Sequence, residues 1–214
     1  MNPGTPKSVA LIVAHPDDET LWAGGTMLSH PSWKFFIVCL CRKSDFERAA
    51  RFSKALTVLK AEGIMGDLDD GPDQTPLDTK EVKQMILDLL PSKHFDMIIS
   101  HHPHGEYTRH IRHEETGSAV IELWHTGKIF THELRIFAYG ERAKEHYPRA
   151  DENATVFSIL TQRIWQRKYT IITKTYGFKE DSWEAKTTPG AEAFWQFSSS
   201  SDAKILLTRQ RDRI

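Results

Sequence analysis

The chain has 214 residues, and 28 Lys plus Arg against 29 Asp plus Glu leave a net charge of −1. That balance excludes a protein that grips polyanions through a general basic excess, so no nucleic-acid partner is expected. A hydrophobic fraction of 39% with 27% charged residues excludes a disordered chain.

At roughly 150 residues per domain the length fits one large domain. It is taken here as residues 1–214, with a less regular part from about residue 150 packing on or near the site. The longest apolar run, Phe35 to Cys41, spans seven residues, against about 20 for a membrane-crossing helix, so no membrane span is expected. Nothing in Met1 to Ser8 resembles the apolar core of a signal peptide. Cys39 and Cys41 read as core thiols, which fits a reducing, cytoplasmic setting. A homo-oligomer is left open.

In chain order, Val9 to Ala14 is a continuous apolar run, the pattern of a strand covered on both faces. Leu21 to Ser29 follows as a helix despite Gly24-Gly25. Phe35 to Cys41 reads as a second buried strand. Phe52, Ala55, Leu56 and Leu59 then fall at i, i+3, i+4, i+7, a helix with one core face, capped near Ser44-Asp45. Gly66 to Pro76 reads as an acidic loop punctuated by Gly and Pro. Asp78 with Glu81 resembles a capping box before the helical stripe Val82, Met85, Ile86, Leu89, Leu90. Met97-Ile98-Ile99 is a third strand, Glu114 to His125 a helix, and Leu134 to Tyr139 a further strand. Thr161 to Tyr176 carries a helical pattern stopped by Gly177.

This alternation predicts an α/β, Rossmann-like layered fold with a largely parallel sheet flanked by helices. In such sheets ligands sit outside the carboxyl ends of the strands. That rule selects two loops without reference to chemistry. One, His15-Pro16-Asp17-Asp18-Glu19, follows the first strand; the other starts at His101, after the third. Five of the eleven histidines (His101, His102, His104, His110, His113) fall within thirteen residues of this second loop. Either loop alone is also ordinary turn or surface material. Together they offer imidazoles and carboxylates at one rim, a standard divalent-metal donor set that leaves a position open for water. Asp17 and Asp18 are adjacent and cannot both point the same way, so one is free to bind an ion while the other faces a substrate.

Ala14-His15-Pro16-Asp17-Asp18-Glu19, with Ala23-Gly24-Gly25-Thr26, resembles the opening motif of the LmbE-like/PIG-L zinc-dependent N-deacetylases. Gly105-Glu106-Tyr107 with the His110/His113 pair is similar to that family's second motif, and Tyr176-Gly177-Phe178 to Trp183-Glu184 gives a weaker echo. The resemblance implies an LmbE-like fold and a hydrolase that removes an acetyl group from an N-acetylated amino sugar or glycoconjugate. It also implies Zn2+, or another divalent metal such as Fe2+, held by His15, Asp18 and His113. Asp17 would then be the general base, and a protonated His110 would face the substrate carbonyl oxygen. Arg48, Tyr107, Glu106 and Trp22 are the expected substrate contacts, with Trp183 and Trp195 as further aromatics able to stack on a sugar.

Two positions depart from the family pattern. Ile111-Arg112 stands where the second motif has Pro-Asp, and Arg48-Ala49-Ala50-Arg51 where Arg-x-x-Glu is common. Glu106, Glu114 or Glu115 is available to replace the missing aspartate that orients a histidine, whereas Arg112 beside an imidazole would lower its pKa. Two other readings use the same residues. One is a 2-His-1-carboxylate Fe(II) oxygenase, a chemistry usually carried by all-β folds that the helical stripes oppose. The other is a catalytically silent metal- or sugar-binding member of the same fold.

Overall fold

The computed structural model describes residues 5–107, 110–140 and 147–208. The apolar runs form strands β1 (Ser8–Val13), β2 (Lys34–Cys41), β4 (His94–Ser100) and β5 (Phe130–Phe137), with β3 (Glu62–Leu68) between β2 and β4 in the chain. Next come the short pair β6 (Tyr139–Gly140) and β7 (Arg149–Ala150), then β8 (Val156–Ile159) and β9 (Ala191–Phe197). The helices are α1 (Asp18–Ser29), α2 (Phe46–Leu59), α3 (Thr79–Leu89), α4 (Ile111–His125), α5 (Gln162–Thr170), α6 (Trp183–Thr187) and α7 (Ser200–Lys204). A π-helical turn, Ile171–Thr175, extends α5.

Seven strands make one sheet in the order β3-β2-β1-β4-β5-β9-β8. The first five are mutually parallel, while β9 pairs antiparallel with both β5 and β8. Alternate residues of β1 feed two cores. Val9, Leu11 and Val13 pack with Leu21, Trp22, Phe52 and Ile172, under α1, α2 and the π-helical turn. Ala10 and Ile12 pack with Val82, Ile86, Val120 and Ala203, under α3, α4 and α7. Cover on both faces is why these strands are apolar throughout. A register shift against β3 between Cys39 and Cys41 sends the two thiols into opposite cores. Both cysteines are free and buried.

β1 is hydrogen-bonded to β2 on one side and β4 on the other. The chain order reverses at that point, so the crevice at the carboxyl ends of β1 and β4 is the topological switch where α/β sheets bind ligands. Three features differ from the sequence expectation. β3 occupies a stretch partly read as loop, because its two glycines weaken the strand signal at the sheet edge. The region beyond residue 150 supplies β8 and β9 to the same sheet. Asp78 caps α3 by accepting from Lys80 N, one residue short of the capping-box partner.

That later region is pinned by a buried ion pair. Lys168 Nζ lies 2.8 Å from Glu192 Oε1, and both side chains are fully inaccessible. Glu192 also accepts from Gly25 N, Thr26 N and Thr26 Oγ1 at 2.6–2.7 Å, tying α1 to α5 and β9. Gly25 permits this approach: a Cβ there would come within 2.9 Å of Glu192 Oε1 and 2.5 Å of Leu160. Among the described residues no helix is long and apolar enough to cross a membrane. Removing one partner of a buried pair leaves an uncompensated charge. Lys168→Ala is therefore expected to cost about 3 kcal/mol and to lower the thermal midpoint by about 10 °C, measured by circular dichroism melting.

Candidate active site

The first loop turns sharply after β1. Asp17 sits at φ 112°, a left-handed conformation that costs a non-glycine residue about 1–3 kcal/mol. Its backbone is over-determined: Asp17 N donates to Glu19 Oε2 at 3.0 Å, and Asp17 O accepts from Thr20 N and Leu21 N. Glu19 is fully buried and also accepts from Thr20 Oγ1 and from Tyr176 OH, the latter at 2.7 Å. The turn starts α1 at Asp18, whose carboxylate accepts from His15 N at 2.8 Å through Oδ2 and from Trp22 Nε1 at 3.1 Å through Oδ1.

The second loop is stitched to the first by His101, directly after β4. Its Nε2 accepts from Ala14 N at 3.1 Å, and its Nδ1 faces Glu106 Oε1 at 3.1 Å. Helix α4 can press against this segment because residue 117 is glycine; a Cβ would lie 2.3 Å from His101 O. At its start α4 presents His113, whose Nδ1 is 2.7 Å from Glu106 Oε2. Glu106 accepts from His102 N as well. Burial works to raise its pKa, but the His101 and His113 imidazoles hold it well below the usual carboxylate range.

The result is a triangle of donor atoms. His15 Nδ1 lies 3.2 Å from His113 Nε2 and 3.3 Å from Asp18 Oδ2, and His113 Nε2 lies 3.4 Å from Asp18 Oδ2. Ligands about 2.0–2.1 Å from a tetrahedral cation are separated by about 3.3–3.4 Å, so the triangle fits zinc. Each histidine also has a carboxylate behind it, as metal-binding imidazoles require. His113 Nδ1 has Glu106, and His15 Nε2 faces Asp70 Oδ1 at 3.2 Å. Asp70 is itself held by Arg42 and Gln74. Two further groupings, His15–His110–His113 and Asp18–His101–His113, bring donor atoms within 4.8 Å. The lone pair of His101 Nε2 is occupied by Ala14 N–H, so His101 works as a brace.

Asp17 and His110 border the same pocket, with Arg42, Arg48, Tyr107, Trp183 and Glu184 around it. Burial, reinforced by Asp18 and Glu19, pushes the Asp17 carboxyl well above its ordinary value. Burial also works to raise Asp18, but the neighbouring His113 and His101 hold it low. Adjacent carboxylates with opposite shifts are a division of labour between proton carrier and ion ligand. Burial, with His113 and His15 alongside, drives His110 down to about 3.

Of the expected substrate contacts, Arg48 and Tyr107 line the pocket. Trp22 borders it but is fully buried and serves Asp18 through its indole N–H. Glu106 is not a pocket group: its oxygens are taken by His113, His101 and His102 N, so it acts as the carboxylate that orients His113. Trp195 packs between the two cores, away from the pocket. Arg112 turns away from the imidazoles. Its guanidinium donates to Asp69 O, Thr75 O and Glu115 at 2.5–2.7 Å, clamping the loop that carries Asp70. Glu19 and Tyr176 stand in the sequence motifs without a role, and Arg42 and Asp70 carry no sequence signal of their own. Asp70 follows the unrecognised β3, and the carboxyl-end rule would have flagged it once that strand was placed.

The family model described as PIG-L, GlcNAc-PI de-N-acetylase, matches residues 10–124, and the chain belongs to this family. Among curated proteins it is 22% identical over 129 residues to uncharacterized protein L374 of Acanthamoeba polyphaga mimivirus, covering 53% of this chain and 56% of that protein. The chain thus spans little more than half the length of that relative. Three solved structures share the fold. N,N'-diacetylchitobiose deacetylase from Pyrococcus horikoshii has a TM-score of 0.64 at 17% identity, covering 92% of this chain and 86% of its own. GalB, the 4-carboxy-2-hydroxymuconate hydratase from Pseudomonas putida, scores 0.61 at 16%, covering 97% and 99%. The zinc-inhibited form of teicoplanin deacetylase Orf2 scores 0.61 at 13%, covering 90% and 98%. The fold therefore hosts both deacetylases and a hydratase.

The Glu106–His113 contact yields a direct test. Glu106→Gln is expected to weaken Zn2+ or Co2+ binding by about 10–100-fold, read by titration calorimetry on the purified chain.

Proposed function

We propose that the chain is a metal-dependent amide hydrolase that removes acetyl from the nitrogen of an N-acetylated amino sugar or glycoconjugate, with zinc as its metal. The observation that carries this reading is the donor triangle with a second carboxylate, Asp17, lining the same pocket. Family membership supports the choice of N-acetyl glucosamine chemistry. The α/β architecture supports this reading over the oxygenase one, and the buried Arg112, turned away from the imidazoles toward Asp69, Thr75 and Glu115, supports it over a silent site.

Zinc held by His15, Asp18 and His113 would supply Lewis acidity toward a water and the amide carbonyl. Asp17 takes a proton from the attacking water as its oxygen bonds to the carbonyl carbon. The high proton affinity that burial gives Asp17 lets it keep that proton. It then passes it to the nitrogen as the carbon–nitrogen bond breaks, leaving acetate and a free amine. His110, at the pocket wall, donates an N–H toward the developing oxyanion. Asp70 and Glu106 keep each metal-facing imidazole in the tautomer that leaves the inner nitrogen unprotonated.

The buried free thiols Cys39 and Cys41 support a reducing, cytoplasmic setting. The Tyr176–Glu19 hydrogen bond and the place of β8 and β9 in the sheet support treating the region from about residue 150 as part of the same catalytic unit.

Asp17→Asn is expected to lower kcat by at least about 10²–10⁴-fold while bound zinc stays near the wild-type content. His113→Ala is expected to lose both metal and activity. Amine release from N-acetylglucosamine with parallel metal analysis tests both; full turnover by Asp17→Asn would overturn the general-base assignment.

A further inference from the structure

Two pocket residues lie outside the segment matched by the family model: Trp183 and Glu184, the first residues of α6. Ser182 Oγ accepts from Ala185 N and fixes the start of that helix. The Trp183 ring centroid is 4.6 Å from that of Tyr107, and Tyr107 in turn stacks on Trp22 at 6.0 Å and 30°. Trp22 is anchored through Asp18, so an aromatic ladder climbs from the donor triangle to the mouth of the pocket. Its outer rung, Trp183, is only half-buried.

Glu184 differs from the other pocket carboxylates. Asp18 is committed to the triangle and Trp22, and Asp70 to Arg42, His15 and Gln74. Among the described residues the Glu184 carboxylate has neither a hydrogen-bond partner nor an ion pair. It lies close enough to Asp17 and Tyr107 for its charge to act on both. Arg48, on the same rim, reaches Asp45 at 3.8 Å and makes no ion pair with Glu184. An unpaired acceptor beside an indole face is complementary to a ring with apolar C–H faces and hydroxyl edges. It repels a ring that carries its own negative charge.

We propose that Trp183 and Glu184 form the specificity site for the ring that bears the scissile amide, Trp183 stacking on its face and Glu184 accepting from its hydroxyls. The site thereby selects neutral amino sugars and rejects carboxylated ones. This rests on the N-deacetylase reading for its catalytic consequence, but ring binding is measurable without turnover.

Zinc-loaded Asp17→Asn protein serves as the non-hydrolysing background. Titration calorimetry compares N-acetylglucosamine with N-acetylmuramic acid, which adds a lactyl carboxylate. Adding Trp183→Ala is expected to weaken N-acetylglucosamine binding about tenfold, with Trp183→Phe retaining most of it and zinc affinity unchanged. Adding Glu184→Gln is expected to narrow the preference for the neutral ring by about tenfold. In the otherwise wild-type enzyme both substitutions should raise KM, Trp183→Ala with little change in kcat. Wild-type-like affinity and KM in both variants would overturn the specificity site and leave the deacetylase reading standing. Trp183-dependent ring binding without amine release from any N-acetylated sugar would overturn the deacetylase reading instead.

Discussion

A single buried carboxylate, Glu106, holds the two halves of the site in register. It takes the Nδ1 atoms of His113 and His101 and the backbone N–H of His102. Through His101 it is one step from Ala14 N at the end of β1. An unpaired charge in so dry a place would be costly, so Glu106, its two donors and the adjacent His101 ring stabilise one another only when both loops are in place. This makes the convergence of residues nearly a hundred positions apart a packing requirement, and it leaves His113 Nε2 facing His15 and Asp18.

The second constraint is backbone strain at Asp17. A left-handed aspartate persists only where its surroundings outweigh the cost, and here Glu19, Thr20 and Leu21 all engage its main chain. Glu19 in turn depends on the Tyr176 hydroxyl, which arrives from the π-helical turn after α5. Such turns recur at functional sites because they re-aim a residue off the regular helical face. The position of Asp17 is thus coupled to the region that also supplies Trp183 and Glu184.

Electrostatics separates the two neighbouring aspartates without help from sequence position. Both are buried, and burial raises both. Asp18 has imidazoles within 3.4 Å that more than offset the desolvation, whereas around Asp17 the acidic Asp18, Glu19 and Glu184 outweigh the one opposing charge, Arg48. His110 is pushed down for the converse reason, being a partly buried imidazole among imidazoles.

Local periodicity and residue chemistry already specified much of this protein. The apolar runs of β1, β2, β4 and β5 marked buried parallel strands, and the carboxyl-end rule then pointed to His15–Asp18 and His101–His113. Pairings across the fold were beyond reach, because they depend on how helices seat on the sheet. Arg112 illustrates this: beside His113 in sequence, it points to Asp69 and Thr75 because α4 turns that face toward the loop after β3. Glu106, readable both as a pocket group and as a stand-in for the missing aspartate, lies behind the triangle in the second position for the same reason. Lys168 and Glu192 look like surface charges in an irregular region until β9 joins the sheet. The kinds of donor and the layered architecture were written in local chemistry. The partner of each donor was settled only by tertiary packing, since a side chain's neighbours across the chain follow from element orientation, which no local pattern encodes.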